Sequence, residues 1–274
     1  MYKIFSKLYD KFMKYSDYGA WEKQIEELIA EGKPNGKTLL DIGCGTGELL
    51  LRMAKNYKCD GMDLSEEMLK IAFKKLKHRE VSLFLGNMIE FDTGKTYDIM
   101  VSLFDTVNHI LTVDELTSHF ESVYKSLNPG GVYIFDVVDR EFMETMFPSD
   151  VFVDDRKDLT CIWEHEIENG IDYIDAVYFL KNSRGTWDKL TETYTKKIFT
   201  EEEIKSSVQK ANLNLIKILI NDKIAGKRHM YLLKKQWRSP MKYGIGLILC
   251  LTNMVLYYKI VVDGSDSDWN ISNG

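Results

Sequence analysis

The chain has 274 residues, of which 45% are hydrophobic and 28% charged, a composition typical of a folded globular protein rather than a disordered one. Its 36 Lys and Arg are outnumbered by 42 Asp and Glu, so the formal net charge is −6. This negative net charge argues against a protein that mainly binds nucleic-acid phosphates, and it suits a small neutral or cationic substrate.

The cysteines are widely spaced and include no CxxC pair; they are Cys44, Cys59, Cys161 and Cys250. Such spacing predicts neither a zinc site nor a disulfide framework. The chain begins MYKIFSKLYD, without the apolar stretch of a secretory signal. We therefore expect a cytoplasmic protein without a bound metal.

The N-terminal part, residues 1–31, predicts two short helices. The first covers about residues 5–15, and the second follows it directly. The apolar face of the second helix is expected to consist of Trp21, Ile25, Leu28 and Ile29. Residues 31–37, EGKPNGK, form a loop by their glycine and proline content.

Short apolar runs then alternate with helical patterns, which is typical of βαβ units and a parallel sheet. The predicted strands are Thr38–Ile42 and residues 58–62, 81–85, 97–103 and 132–138. Before the fifth strand, Thr112 and Glu115 have the spacing of a capping box, which marks the start of a helix. We expect an α/β, Rossmann-like, doubly wound sheet of seven mostly parallel strands with helices on both faces.

A segment of different character follows the fifth strand, at about residues 139–199. Three runs rich in β-branched and aromatic residues predict a small antiparallel meander, at residues 159–167, 173–181 and 190–199. A second capping box, Thr200 and Glu203, then begins a helix at residues 201–211. Two strands, near Leu213–Asn221 and residues 229–235, complete a domain that we place at residues 1–235.

The most informative stretch is LLDIGCGTGELL, residues 39–50, in which a strand runs through three alternating glycines into a helix. Gly43, Gly45 and Gly47 let the backbone turn tightly and approach a ligand without Cβ clashes. The GxGxG spacing differs from the GxGxxG of dinucleotide sites, and no P-loop lysine follows. The loop therefore predicts a binding site for an amino-acid group. The alternative is a turn that is merely rich in glycine.

An acid ends the next predicted strand. Asp63 is followed by Leu64, Ser65 and a helix that carries Met68. In a doubly wound sheet, an acid at this position binds the two hydroxyls of a ribose. The alternative is that Asp63 only favours the dipole of the following helix.

LLDIGCGTGELL and GMDLSEEML resemble the first two signatures of class I S-adenosylmethionine-dependent methyltransferases. TYDIMVSLFDTVNHI and LNPGGVYIFDVV are similar to the fourth and fifth strands of that family, and the match covers about residues 9–235. The opening FSKLYDKFM, DYGAW and the β insert resemble bacterial small-molecule methyltransferases related to the TDP-aminosugar N,N-dimethyltransferases. The resemblance implies S-adenosyl-L-methionine as cofactor, S-adenosyl-L-homocysteine as product, and methylation of a small molecule at nitrogen more than at oxygen.

The resemblance also implies roles around the cofactor. Gly43 and Gly45 back its methionine part, and Asp63 binds its ribose. Leu64 and Met68 flank the adenine.

The edge of the adenine is assigned to Asn87 and Met88, which follow the third strand. Many family members have Asp in place of Asn87, but the carbonyl oxygen of Asn can also accept a hydrogen bond. Tyr9 and Trp21 are expected to cover the cofactor, with ordinary aromatic packing as the alternative. The full predicted cofactor set is Tyr9, Trp21, Asp41, Gly43, Cys44, Gly45, Gly47, Asp63, Leu64, Met68, Asn87, Met88 and Leu103.

Methyl transfer mainly requires that a nucleophile be aligned with an already activated donor and shielded from water. Candidates to assist it follow the fourth strand, at Asp105, Asn108 and His109, where ligands bind in such sheets. His109 is a candidate general base because its ordinary pKa of about 6.5 lies near cellular pH, and packing is the alternative. Asp105 is a candidate to hold a cationic amine, and the Tyr9 hydroxyl is a candidate to orient it.

Nucleic acid is a disfavoured substrate. Enzymes that methylate amino groups of DNA and RNA often carry (D/N)PP(Y/F) after the fourth strand, whereas residues 102–105 read SLFD. Two other hypotheses stay open at this point, a non-catalytic S-adenosylmethionine-binding regulator and a methyltransferase that acts on a protein or RNA partner.

Residues 236–274 lie beyond the resemblance. Residues 243–258, YGIGLILCLTNMVLYY, carry no charge and would span about 24 Å as a helix, and extension to residue 262 reaches the roughly 30 Å of a membrane core. Basic residues precede this segment and acidic residues follow it, a bias that favours a cytoplasmic catalytic domain. The alternatives are a membrane contact through residues 243–262, an extension packed on the globule or on a second subunit of a homodimer, and a foreign segment.

Overall fold

The computed structural model describes residues 4–221 and 226–236, together with the backbone of the short strands Tyr258–Ile260 and Ser272–Asn273. Most of the apolar segment 243–262 therefore lies outside the described residues, and its predicted roles stay predictions. Among the helices that are described, none is long and apolar enough to cross a membrane.

Helices and strands alternate through the first half of the chain. They are α1 (Ser6–Phe12), α2 (Tyr18–Gly32), β1 (Thr38–Ile42), α3 (Glu48–Met53), β2 (Lys58–Asp63), α4 (Glu66–Leu76), β3 (Ser82–Leu85), β4 (Tyr97–Ser102), α5 (Val113–Ser126) and β5 (Leu127–Val137). The second half contains α6 (Arg140–Met146), β6 (Val151–Arg156), β7 (Leu159–Glu168), β8 (Ile171–Lys181), β9 (Trp187–Lys197), α7 (Glu201–Lys210), β10 (Leu213–Asn221), β11 (Arg228–Lys235), β12 (Tyr258–Ile260) and β13 (Ser272–Asn273).

The main sheet has the strand order β10-β11-β5-β4-β1-β2-β3, continued at the β3 edge by β12 and β13. β1 to β5 run parallel, whereas β11 is antiparallel to β5 and β10 is antiparallel to β11. Seven strands that are mostly parallel confirm the predicted α/β, Rossmann-like class. β12 pairs antiparallel with β3, with Tyr258 opposite Leu85.

Helices cover both faces of the sheet, so the side chains that point to either side of a strand are buried. In β1, Leu39 belongs to a buried cluster shared with α2, α3 and α4, and its neighbour Leu40 belongs to a cluster shared with α5 and α7. This arrangement explains why the sequence shows continuous apolar runs instead of alternation. The carboxyl ends of the strands are thereby held rigidly at one edge.

Both predicted capping boxes are confirmed. The amide of Glu115 donates to Thr112 Oγ1 at 3.1 Å, and the Glu115 carboxylate accepts from the Thr112 amide at 3.1 Å. The same exchange joins Thr200 and Glu203 at 3.1 and 2.8 Å. These bonds satisfy first-turn amides that would otherwise lack partners.

The insert after β5 is a separate antiparallel sheet in the order β6-β7-β8-β9. The meander was predicted, but α6 and the fourth strand, β6, were not. α1 packs on the inner face of this sheet, where Phe5 stacks on Tyr178 with ring centroids 5.4 Å apart and Phe12 stacks on Trp163 at 5.3 Å. The insert thus holds α1 in place beside the main sheet.

Candidate active site

A cavity of about 230 Å³ lies at the carboxyl ends of β1, β2, β3 and β4. The strand order reverses at β1, since β2 and β3 lie on one side of it and β4 and β5 on the other. Ligands of doubly wound sheets bind at such a reversal. The cavity therefore lies where the topology alone would place a ligand.

The structure brings most of the predicted site residues together around this cavity. Its lining includes Tyr9, Asp41, Gly43, Cys44, Gly45, Asp63, Leu64, Met68, Asn87, Met88, Leu103 and His109. Four predicted residues, Trp21, Gly47, Asp105 and Asn108, do not line it. The residues that sequence reasoning missed are Tyr18, Thr46, Glu48, Leu49, Met62, Ser65, Gly86, Ile89, Phe104 and Thr106.

The glycines of the loop after β1 have different roles. Gly43 (φ 76°) faces Thr106 so closely that a Cβ would lie 2.4 Å from Thr106 Cγ2. Gly45 (φ 53°) has no atom within 4 Å of where its Cβ would be, so its backbone borders open space in the cavity. Gly47 instead packs on α4, where its Cβ would lie 3.2 Å from Ala72 Cβ. Gly47 is therefore a packing glycine at the start of α3.

Asp63 connects the glycine loop to α4. Its Oδ2 accepts from the Gly45 amide at 2.8 Å, and its Oδ1 accepts from the Ser65 amide at 2.8 Å. Burial raises the pKa of the Asp63 carboxyl, while these amides and that of Leu64 act in the opposite direction. Each carboxylate oxygen has a further lone pair, so both can also accept from a pair of ligand hydroxyls.

The cavity is acidic. Asp41, Glu48 and Asp63 line it, and its lining contains no Lys or Arg. Burial, followed by the nearby Asp63, raises the pKa of Asp41 to about 8. A cation in this cavity would favour the ionised form of both aspartates. The site is therefore built for a positively charged ligand.

Part of the cavity wall is apolar, and one polar side chain of the lining is exposed. Met68 and Leu103 are buried, whereas Leu64 is 56% exposed at the mouth. Asn87 is exposed, and its Oδ1 accepts from the Ile89 amide at 3.0 Å. This pattern of apolar walls and an amide at the rim suits a flat heteroaromatic ring.

The turn after β4 presents His109 to the cavity. His109 Nδ1 lies 3.0 Å from the carbonyl oxygen of Thr195, which can only accept, so Nδ1 carries the proton and Nε2 carries the lone pair. Burial and then the nearby Lys196 lower the pKa of His109 to about 4, so the ring is neutral at pH 7. Asn108 is buried and does not line the cavity, since it joins the Lys197 carbonyl to the Val138 amide.

Asp105 does not face the ligand because its carboxylate is bound by two cations. It accepts from Arg228 Nη1 at 2.9 Å and from Lys196 Nζ. Asp136 accepts from the Asp105 amide at 3.1 Å and from Arg228 Nη1 at 2.7 Å. Burial opposes ionisation of Asp105, but Lys196 and Arg228 hold its pKa below the usual value. The predicted contact of Asp105 with a cationic amine is therefore replaced by an internal ion-pair network.

This network holds a strained turn. Phe104 (φ 60°) and Asp105 (φ 55°) are consecutive left-handed residues, a conformation that costs roughly 1–2 kcal/mol for each non-glycine residue. The Phe104 ring packs on Trp21, with centroids 4.7 Å apart, and on Tyr18 at 5.3 Å. Trp21 is fully buried behind Phe104, which matches the packing alternative for that residue.

Tyr9 and Tyr18 close the cavity from the N-terminal helices. Both line it, and a side-chain hydrogen bond joins Tyr9 to Tyr18, whose pKa is raised chiefly by burial. Tyr18 stands one helical turn before Trp21 in DYGAW. That spacing places both aromatic side chains on one face of the helix, so the sequence pattern could have identified Tyr18 as a residue of the cavity.

Comparison with known proteins gives a consistent result. The model of a family described as a methyltransferase domain matches residues 39–131. Over 225 residues the chain is 30% identical to a protein of Bacillus subtilis (strain 168) named as a methyltransferase, YqeM, and the match covers 80% of this chain and 88% of that protein.

A second relative is the dTDP-3-amino-3,4,6-trideoxy-alpha-D-glucopyranose N,N-dimethyltransferase of Streptomyces venezuelae. It is 34% identical over 140 residues, which cover 50% of this chain and 58% of that enzyme. Among solved structures, an S-adenosylmethionine-dependent methyltransferase from Clostridium acetobutylicum ATCC 824 superposes with a TM-score of 0.76 at 24% identity, covering 86% of this chain and 99% of the other. That last likeness concerns the fold.

Proposed function

This chain belongs to the S-adenosylmethionine-dependent methyltransferases, and we propose that it methylates an amine nitrogen of a small molecule bound between Tyr9 and His109. The observation that carries the proposal is the charge of the cavity, which combines three carboxylic acids with a neutral histidine and no basic side chain. Such a site attracts a cationic donor and an amine.

The residues present fit the donor. The open backbone at Gly45 offers room for its amino-acid part, and Asp41 offers a carboxylate to its ammonium. Asp63 would accept from the ribose hydroxyls, and Leu64 and Met68 would flank the adenine, since all three line the cavity. When bound, S-adenosylmethionine supplies a methyl group that is already activated on a positively charged sulfur.

The chain's own contribution is alignment, exclusion of water and proton handling. We expect the packed Phe104 ring to shield the acceptor side from water. The Nε2 lone pair of His109 accepts an N–H of the acceptor, so that the nitrogen lone pair points toward the donor. The Tyr9 hydroxyl would orient the same group. The proton that the nitrogen loses when it takes the methyl group would pass to His109 Nε2 and then to water, and neutral S-adenosylhomocysteine would be the product.

The relatives support an amine acceptor. The Streptomyces venezuelae enzyme is named for dimethylation of an amino sugar. The acidic cavity described above suits the same kind of acceptor. We therefore place amino sugars and similar amines first among the acceptors.

The test is a matched set of acceptors with labelled S-adenosylmethionine. Each amino sugar is paired with the same sugar carrying a hydroxyl in place of the amine, and the products are identified by mass spectrometry. We expect methyl transfer to amines alone. Transfer to the hydroxyl partner, or tight donor binding without transfer to any amine, contradicts the proposal and in the second case supports a regulatory role.

A histidine variant tests the role of the ring. We expect His109→Phe to lower kcat by about 100-fold or more, the lower end of general acid–base effects, with little change in S-adenosylhomocysteine affinity. His78→Phe is the matched control, since His78 is exposed and does not line the cavity. A kcat that is equal in the two variants would remove His109 from the mechanism.

A further inference from the structure

A buried histidine on α5 lies behind the loop that follows β3. His119 is fully buried, with Nδ1 2.8 Å from the Met88 carbonyl oxygen and Nε2 2.8 Å from the Tyr133 hydroxyl. Because a carbonyl only accepts, Nδ1 is the protonated nitrogen and Nε2 accepts from Tyr133. Burial lowers the pKa of His119 to about 4, so the ring is neutral at pH 7 and this arrangement is stable.

One peptide group of the loop is held at both of its polar atoms. The carbonyl of the Met88–Ile89 peptide accepts from His119, and its amide donates to Asn87 Oδ1 at 3.0 Å. The peptide group is planar and rigid, so turning it would break both bonds together. On the same helix, Ser122 Oγ donates to the Ile89 carbonyl at 3.2 Å and holds the next peptide.

The Asn87 side chain is thereby oriented from the protein interior. Its Oδ1 points to the Ile89 amide, so its Nδ2 points in the other direction. Asn87 and Met88 both line the cavity, whereas His119 does not. The direction of the polar edge that the cavity offers is therefore set by a residue behind it.

We propose that His119 is a positioning residue for base recognition, which holds Asn87 and Met88 in the orientation that distinguishes the adenine of the donor from other bases. The proposal rests on the donor placement given under the proposed function. It does not depend on the identity of the methyl acceptor.

The test compares the binding of two product analogues to the full-length protein by calorimetry. At ring nitrogen N1, S-adenosylhomocysteine has a lone pair that can accept from Asn87 Nδ2, whereas S-inosylhomocysteine has a proton there and an oxygen in place of the 6-amino group. The key variant is H119F/Y133F, which removes both members of a buried polar pair and leaves neither unpaired. Tyr133→Phe is the matched control because it keeps the His119–Met88 bond, and His119→Gln keeps both a donor and an acceptor.

We expect H119F/Y133F to raise the dissociation constant of S-adenosylhomocysteine by about tenfold, which corresponds to the loss of roughly one hydrogen bond. The dissociation constant of S-inosylhomocysteine should change by less than about twofold. Tyr133→Phe and His119→Gln should keep the wild-type ratio of the two dissociation constants. If the double variant keeps that ratio, or weakens both analogues equally, His119 only supports the fold and the proposal is overturned. Circular dichroism establishes that each variant is folded, and no acceptor is used, so a failure of the amine assay leaves this result readable.

Discussion

The ionisation of Asp41 should make donor binding depend on pH. Asp41 is 3% exposed and shares the cavity with Asp63. Burial, then Asp63, raises its pKa to about 8, so the empty protein holds it mainly as the neutral acid below that pH. A donor with an ammonium and a sulfonium favours the carboxylate, so binding at neutral pH releases a proton.

The size of the effect follows from the pKa. At pH 7, about 90% of the empty protein carries the Asp41 proton, so the apparent affinity should be about tenfold weaker than with the carboxylate formed. At pH 6 the loss should approach about 100-fold. Because the raised pKa belongs to a carboxyl group, the affinity for the donor is highest above pH 8 and falls as the pH drops below 8.

Calorimetry with S-adenosylmethionine at pH 6, 7 and 7.5, in buffers of different ionisation enthalpy, measures both affinity and proton release. We expect about 0.9 protons released at pH 7 from the wild type. Asp41→Asn should show weak binding with a much flatter pH dependence. Asp98→Asn is the control, because the Asp98 carboxylate has a lowered pKa and binds Thr38 and Asn128 away from the cavity. A wild-type affinity that is constant from pH 6 to 7.5, or an Asp41→Asn variant that keeps the full slope, refutes the reasoning.

Two further predictions concern the loops around the cavity. Arg228→Met should lower the free energy of unfolding by about 3–5 kcal/mol in urea, because it leaves Asp105 and Asp136 buried with Lys196 as the nearest cation, and a loss under about 1 kcal/mol contradicts the network's role. Gly43→Ala should destabilise the protein more than Gly45→Ala, since only a Cβ at Gly43 would clash with Thr106. Gly45→Ala should mainly weaken the binding of S-adenosylhomocysteine. Equal melting temperatures for the two variants would contradict this.

The main sheet was predictable because its strands are buried on both faces and read as continuous apolar runs. The insert was harder. β6 is an edge strand whose residues alternate between exposed and half-buried, and α6 has seven residues, so neither gives a strong periodic signal. β5 also begins at Leu127 instead of residue 132, because residues 127–131 join the strand across a register shift opposite Tyr97 and Ile99.

The side of the cavity where we propose that the donor binds was predictable because its residues follow parallel strands, whose carboxyl ends meet at one edge of the sheet. Asp41, Asp63 and Asn87 each come directly from such a position. The fate of Asp105 was not predictable in this way. Its partners Lys196 and Arg228 are 91 and 123 residues away in the chain and belong to β9 and β11. No local pattern shows that two cations meet one carboxylate.

The same reasoning explains why the acceptor cannot be read from the glycine loop. β9 of the insert holds the turn after β4 at three points, through the Thr195 carbonyl, the Lys196 ammonium and the Lys197 carbonyl. The first of these decides which nitrogen of His109 carries the lone pair. The proposed donor side can thus be predicted from a local sequence motif. The chemistry of the acceptor side depends on how a sheet that is distant in sequence packs against the turn after β4. Changes in the insert should therefore alter the reaction at His109 while donor binding is retained.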